Sequence, residues 1–126
     1  MEKMTVSEAF RSRALEALKS AEDAIGQEHK ETAVSRAYYA CFFAVHSRLE
    51  TLKLSAASHK QTGILFRKHF IATGLMDKKF SGSWEELQTF RMDADYAPVP
   101  DITPEKARDL VSQAEEFVNQ LLRTKI

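Results

Sequence analysis

The sequence predicts an all-α domain, a bundle of about five helices, and three observations carry that reading. Apolar residues recur at spacings of three and four through most of the chain. Thr5, Ser58 and Thr103 each stand where a side-chain cap would open such a periodic segment. No segment alternates with the period of two that marks a half-buried strand. A chain of 126 residues that is 44% hydrophobic suffices for one core, so one domain over residues 1–126 is expected.

Thr5 and Glu8 have the spacing of a capping box, and Phe10, Ala14, Leu18, Ala21 and Ile25 follow at helical intervals until Gly26. The next segment, Glu31 to Leu54, contains no Gly or Pro. It carries Val34, Tyr38, Cys41, Val45, Leu49 and Leu52 on one stripe and Ser35, Tyr39, Phe42 and His46 on a second. Two stripes predict a helix covered on both sides, hence one at the centre of the bundle. Ser58 caps a third helix through Ile64, Leu65, Phe66 and Phe70, ending near Gly74. A fourth begins after Asp77 with Phe80, Trp84, Leu87 and Ala94, its first turn weakened by Gly82. Pro98 and Pro100 make a loop, and Thr103 with Pro104 opens the last helix, whose stripe is Ala107, Leu110, Ala114, Phe117 and Leu121.

Eighteen basic residues balance eighteen acidic ones, so no global field draws the protein to nucleic acid or to an anionic membrane. The longest uncharged hydrophobic stretch, Ala37 to Val45, is far short of the roughly 20 residues that span a bilayer. The start MEKMTVSEAF lacks a secretory pattern, and the expectation is a cytoplasmic protein without membrane contact. The lone Cys41 lies in an apolar helix and reads as a buried, inert thiol. His29, His59 and His69 are too scattered for a metal motif, no Gly-rich phosphate loop or Ser-His-Asp order is present, and no metal or cofactor is expected. Charge is uneven locally. Residues 51 to 76 hold no Asp or Glu but include Lys53, Lys60, Arg67 and Lys68 beside His59 and His69. Such a patch suits an acidic partner surface, nucleotide phosphates or an RNA backbone, or is simply a solvated helix face.

Two short motifs stand out, Ser35-Arg36-Ala37-Tyr38-Tyr39-Ala40 in the second helix and Arg91-Met92-Asp93-Ala94-Asp95-Tyr96 at the end of the fourth. In this order and separation they resemble the HEPN family (higher eukaryotes and prokaryotes nucleotide-binding), in particular its small stand-alone prokaryotic branch. The resemblance covers nearly the whole chain. It implies an up-and-down helical bundle, a homodimer, and a minimal nucleotidyltransferase encoded nearby as partner, in several branches as a toxin and its antitoxin. The family's ribonucleases carry an arginine followed four to six residues later by a histidine. Here Tyr96 stands where the shortest version of that motif would place its histidine, and neither Ala97 nor Pro98 restores it.

Metal-independent RNA cleavage needs a group that moves protons near neutral pH, which histidine does and tyrosine, titrating near ~10, does not. Arg91 can still hold a phosphate, and Tyr96 can still stack on a base or donate a hydrogen bond. A nucleotide or partner cleft would then comprise Ser35, Arg36, Tyr39, Arg91, Asp95 and Tyr96. The alternative for each is structural: Arg91 and Asp95 as an i,i+4 ion pair, Tyr96 closing the bundle beneath the proline loop, and Tyr38 as core. His46, one turn beyond Phe42, is either a hydrogen-bonded core residue or a base reaching the same cleft. Three functions remain open at this level. One is a binding module that partners a nucleotidyltransferase and takes up a nucleotide; a second is an RNA endonuclease using Arg91 with Asp95, Tyr96 or His46 as a substituted base; the third is a dimerisation scaffold.

Overall fold

The computed structural model describes residues 3–126, all of whose regular elements are helical: α1 (Val6–Gly26), α2 (Lys30–Thr51), α3 (His59–Phe66), α4 (Lys79–Tyr96) and α5 (Pro104–Arg123). Three of the five open on the caps read from the sequence. The hydroxyls of Thr5, Ser58 and Thr103 accept from the backbone N–H groups of Glu8, Gln61 and Lys106. α4 starts differently, with the Asp77 carboxylate accepting from Lys79 N–H at 2.8 Å.

α2 is the hub and packs against α1, α3, α4 and α5. Ala33, Val34, Ala37, Tyr38, Ala40, Cys41, Ala44, Val45 and Leu49 are fully buried, which leaves little of its circumference to solvent. Burial pushes the Cys41 thiol well above its ordinary range, so it packs as a small apolar group. The seam with α1 pairs small residues, Ala14, Ala17, Ala21 and Ala24 against the alanines of α2, and interaxial distance follows side-chain size at the contact. A hydroxyl cluster closes one end of that seam: Ser7 Oγ donates to Ser47 O at 2.8 Å, and Ser47 Oγ donates to Ser7 O at 2.8 Å.

The other half of the core is aromatic. Phe66 lies 5.0 Å from Phe117 and 5.8 Å from Trp84 between ring centroids, and Trp84 reaches Tyr38 at 5.4 Å. α3 differs from its predicted course. It ends at Phe66 and continues as a π-helical turn, Arg67–Ile71, closed by Ala72 N–H donating to Arg67 O. Gly74 then turns the chain at φ +79°. Of the apolar residues through which this helix was expected to run, Ile64 is exposed, while Thr62, Gly63 and Phe66 face inward. α2 also stops earlier than expected, at Thr51, because Lys53 takes up a left-handed φ of +60°. No helix among the described residues is long and apolar enough to cross a membrane.

Gly63 marks the tightest approach of α3 to α4, since a Cβ there would sit 2.8 Å from Trp84 Nε1. Gly63→Ala is expected to cost roughly 1–3 kcal/mol through overpacking, read as a lower urea midpoint. A parallel loss of about 1 kcal/mol is expected for Thr103→Ala, which removes a cap and touches no core residue.

Candidate functional site

The two sequence motifs meet where α4 crosses α2. Arg91 is 4% exposed, and its guanidinium lies 4.8 Å from the centre of the Tyr38 ring and 5.8 Å from that of Tyr39. A desolvated cation over aromatic faces is stabilised by the ring quadrupoles, by about 2 kcal/mol in the best cases. Its carboxylate neighbour Asp95 is 3.9 Å away, and the buried Nε has no hydrogen-bond partner among the described residues. The expected i,i+4 pair is therefore present but is not the surface pair it resembles in sequence, because the arginine is interior. Arg36 stacks on the outer face of Tyr39 at 5.1 Å.

Beside this cluster a small crevice of about 200 Å³ opens between α2 and α4, lined by Glu31, Thr32, Ser35, Arg36, Ala94 and Asp95. Its charges nearly balance, with Arg36 and the Arg91 behind it facing Glu31 and Asp95. Ser35, Arg36, Tyr39, Arg91 and Asp95 are thus brought together. Tyr96 is not among them as a closing residue: it is 69% exposed, which overturns its reading as a lid beneath the proline loop. That loop is instead anchored by Ile102, which is buried, and by Asp101 N–H donating to Asp93 Oδ2 at 2.9 Å. Tyr96 and Ala97 line a shallow apolar hollow with Phe90 and Met92, and Val99 lies exposed beyond them. A separate hollow of about 360 Å³, at Ile25, Glu28, Lys30, Pro104 and Arg108, contains none of the motif residues.

Sequence reasoning missed His59. It opens α3, and its Nδ1 is 2.7 Å from the hydroxyl of Tyr38. Its ring lies 4.6 Å from Phe42 and 5.9 Å from Tyr39. Burial and the charge of Arg91 both lower its pKa. Burial drives the Tyr38 phenol well above its ordinary range, with Arg91 pulling in the opposite direction, so the hydroxyl stays protonated. The only hint in the sequence was that Tyr38 is a buried phenol that requires a partner.

His46 goes elsewhere. Its Nε2 is 3.0 Å from Thr62 Oγ1, and its ring packs between Phe10 and Phe42. Thr62 donates its own proton to Ser58 O at 2.8 Å, so its oxygen accepts and His46 carries the proton on Nε2. This is a satisfied core histidine. Of the basic stretch, Lys53, Lys60 and Lys68 are exposed, while Arg67 is half-buried and donates from Nε to Ser81 Oγ at 3.2 Å. Among the described residues no group of three or more His, Cys, Asp or Glu side chains is placed to hold a metal.

These helices, this central α2 and this pairing of motifs define a class, and comparison with known proteins identifies it. The HEPN domain family model matches residues 7–124. The chain is 29% identical over 120 residues to a UPF0332 protein of Thermotoga maritima, covering 95% of this chain and 91% of the relative. It is 30% identical over 108 residues to a protein of Methanocaldococcus jannaschii named "Putative toxin", covering 86% of this chain and 74% of the relative. A UPF0332 protein of Gloeobacter violaceus is 29% identical over 89 residues, 70% of this chain and 71% of the relative. The chain belongs to the HEPN domain family.

Burial lowers the pKa of His46 first, with His59 adding to the shift and Glu50 opposing it, and His59 is lowered as well. Both imidazoles are therefore held neutral by the fold, and the unfolded chain binds protons more readily. Stability from this source is complete above the unfolded value of about 6.5 and is lost as pH falls below it. Urea midpoints are expected to drop between about pH 7 and pH 5, and His46→Gln is expected to flatten that slope.

Proposed function

We propose that this protein is the HEPN half of a toxin–antitoxin-like pair, a cytoplasmic homodimer that engages a minimal nucleotidyltransferase and binds a nucleotide or RNA phosphate beside Arg91. The observation that carries the reading is Arg91 itself. An interior guanidinium whose only carboxylate neighbour stands at 3.9 Å keeps much of its positive charge and directs it toward the surface around Tyr38 and Tyr39. Two further features support it. The relative from M. jannaschii carries the name of a toxin. The end of α4 exposes Met92, Tyr96 and Val99, apolar surface suited to a second protein chain.

One observation favours a second reading of the same region, metal-independent RNA cleavage: a histidine from α3 contacts Tyr38, the ring on which Arg91 also lies. The two readings are compatible, since a nuclease restrained by its partner is also a binding module.

Co-expression with a minimal nucleotidyltransferase from the same genome is expected to yield a complex that survives gel filtration, weakened by a Met92→Ser/Tyr96→Ser double variant. Separate elution of the two proteins would reject the pairing, and light scattering that gives a monomer would reject the homodimer. Fluorescence titration with a short labelled RNA is expected to show affinity that falls as salt rises. It should drop by about tenfold or more in Arg91→Gln, whereas equal affinity for the folded variant would remove Arg91 from the binding site.

A further inference from the structure

We propose that His59, held by Tyr38 and backed by Arg91, is the acid–base residue of an RNA-cleaving site on the α2–α3 face of the bundle. This rests on the second reading above. It goes further in naming the residue and the face.

Geometry assigns the role. The hydroxyl of Tyr38 holds Nδ1 at 2.7 Å, and Phe42 and Tyr39 flank the ring, so the imidazole is fixed in position with Nε2 as its free nitrogen. His59 is half-buried, hence reachable, whereas His46 spends its Nε2 on Thr62 inside the core. The groups facing His59 are Tyr38, Tyr39 and His46 from α2 and Arg91 from α4; none is a carboxylate. A positive neighbour favours the neutral imidazole, the form that accepts a proton.

The surroundings select a polyanion. The α2–α4 crevice has balanced charge, but residues 51 to 76 hold no acidic side chain, and Lys60 is exposed next to His59. The start of α3 adds the positive end of its helix dipole. Tyr39 and Phe42 are half-buried aromatic side chains on which an unstacked base can rest.

With Nδ1–H donating to Tyr38, Nε2 takes the proton of a ribose 2′-hydroxyl. O2′ attacks phosphorus, the bond from phosphorus to O5′ breaks, and O5′ takes a proton from water. The products are a 2′,3′-cyclic phosphate and a 5′-hydroxyl, and His59 returns its proton to solvent. Atoms and charge balance with neither metal nor oxidant. DNA, which lacks the 2′-hydroxyl, cannot react.

The test is cleavage of an end-labelled mixed RNA pool by the purified full-length protein beside His59→Gln, Tyr38→Phe and His46→Gln, each checked for folding by circular dichroism. Wild type is expected to give 2′,3′-cyclic phosphate ends and to spare the same sequence as DNA. His59→Gln should cut at least about a hundredfold more slowly. His46→Gln should stay within about threefold of wild type, since it loses no reacting group. Tyr38→Phe should displace the acid limb of the pH–rate profile, a change that mere loosening of the fold would not produce. If wild type cuts but His59→Gln cuts as well, His59 is not the base and the cleavage reading survives without it. If folded wild type leaves RNA intact, cleavage and the role of His59 are both overturned. Cutting of DNA as well as RNA would reject the 2′-hydroxyl mechanism.

Discussion

Burying a phenol without leaving its hydroxyl unpaired is the constraint on which this molecule turns. The ring of Tyr38 is fully buried among Trp84, Phe42 and Tyr39, so it belongs to the core. A hydroxyl taken out of water and left without a partner costs about 1–3 kcal/mol. His59 meets that need at 2.7 Å, which fixes the start of α3 against α2. Over its face the same ring receives the guanidinium of Arg91, which fixes α4. Three helices are thus registered on one side chain, and the residues that satisfy it, His59 and Arg91, are ones with acid–base and phosphate chemistry. Core and candidate site are one structure here.

How far this was legible in the sequence follows from what periodicity encodes. The two stripes of the second helix gave its central place, because a helix apolar on both sides must be covered on both sides, and α2 does touch the other four. The caps at Thr5, Ser58 and Thr103 gave three helix starts, because a capping bond is local. The π-helical turn left no mark, since Phe66 and Phe70 are spaced as in an ordinary helix. Tyr96 was misplaced because a residue at a helix end faces in or out according to the path of the next loop. His59 escaped notice because its neighbour Tyr38 is 21 positions away, and the turn between them carries no pattern that reports distance in space.

Charge separates two surfaces that share these tyrosines. On the α4 side, Glu31 and Asp95 offset Arg36 and Arg91, leaving a polar crevice of small volume. A surface of that kind recognises a matching arrangement of donors and acceptors and gains specificity more than affinity. On the α3 side no carboxylate is near, and both the lysines and the helix dipole are positive. A surface of that sign is the kind that a polyanion would meet with little regard for its sequence. The two surfaces differ in charge although both border Tyr38 and Tyr39.

Arg91 is the costliest element of this arrangement. A charge removed from water is penalised by several kcal/mol even after the structure relaxes, and a single carboxylate at 3.9 Å recovers only part of that. Its Nε is unpaired among the described residues, which adds to the cost. A methionine of similar length would pack on the faces of Tyr38 and Tyr39 without any of these penalties. What the guanidinium supplies over an apolar side chain is a positive field inside the bundle, felt at the two groups that lie against it. At Tyr38 the field opposes burial, and burial is what keeps the phenol protonated; at His59 it adds to burial in favouring the neutral imidazole. The fold accepts a destabilising charge in its interior, where it registers α4 on the Tyr38 ring and favours the neutral form of His59.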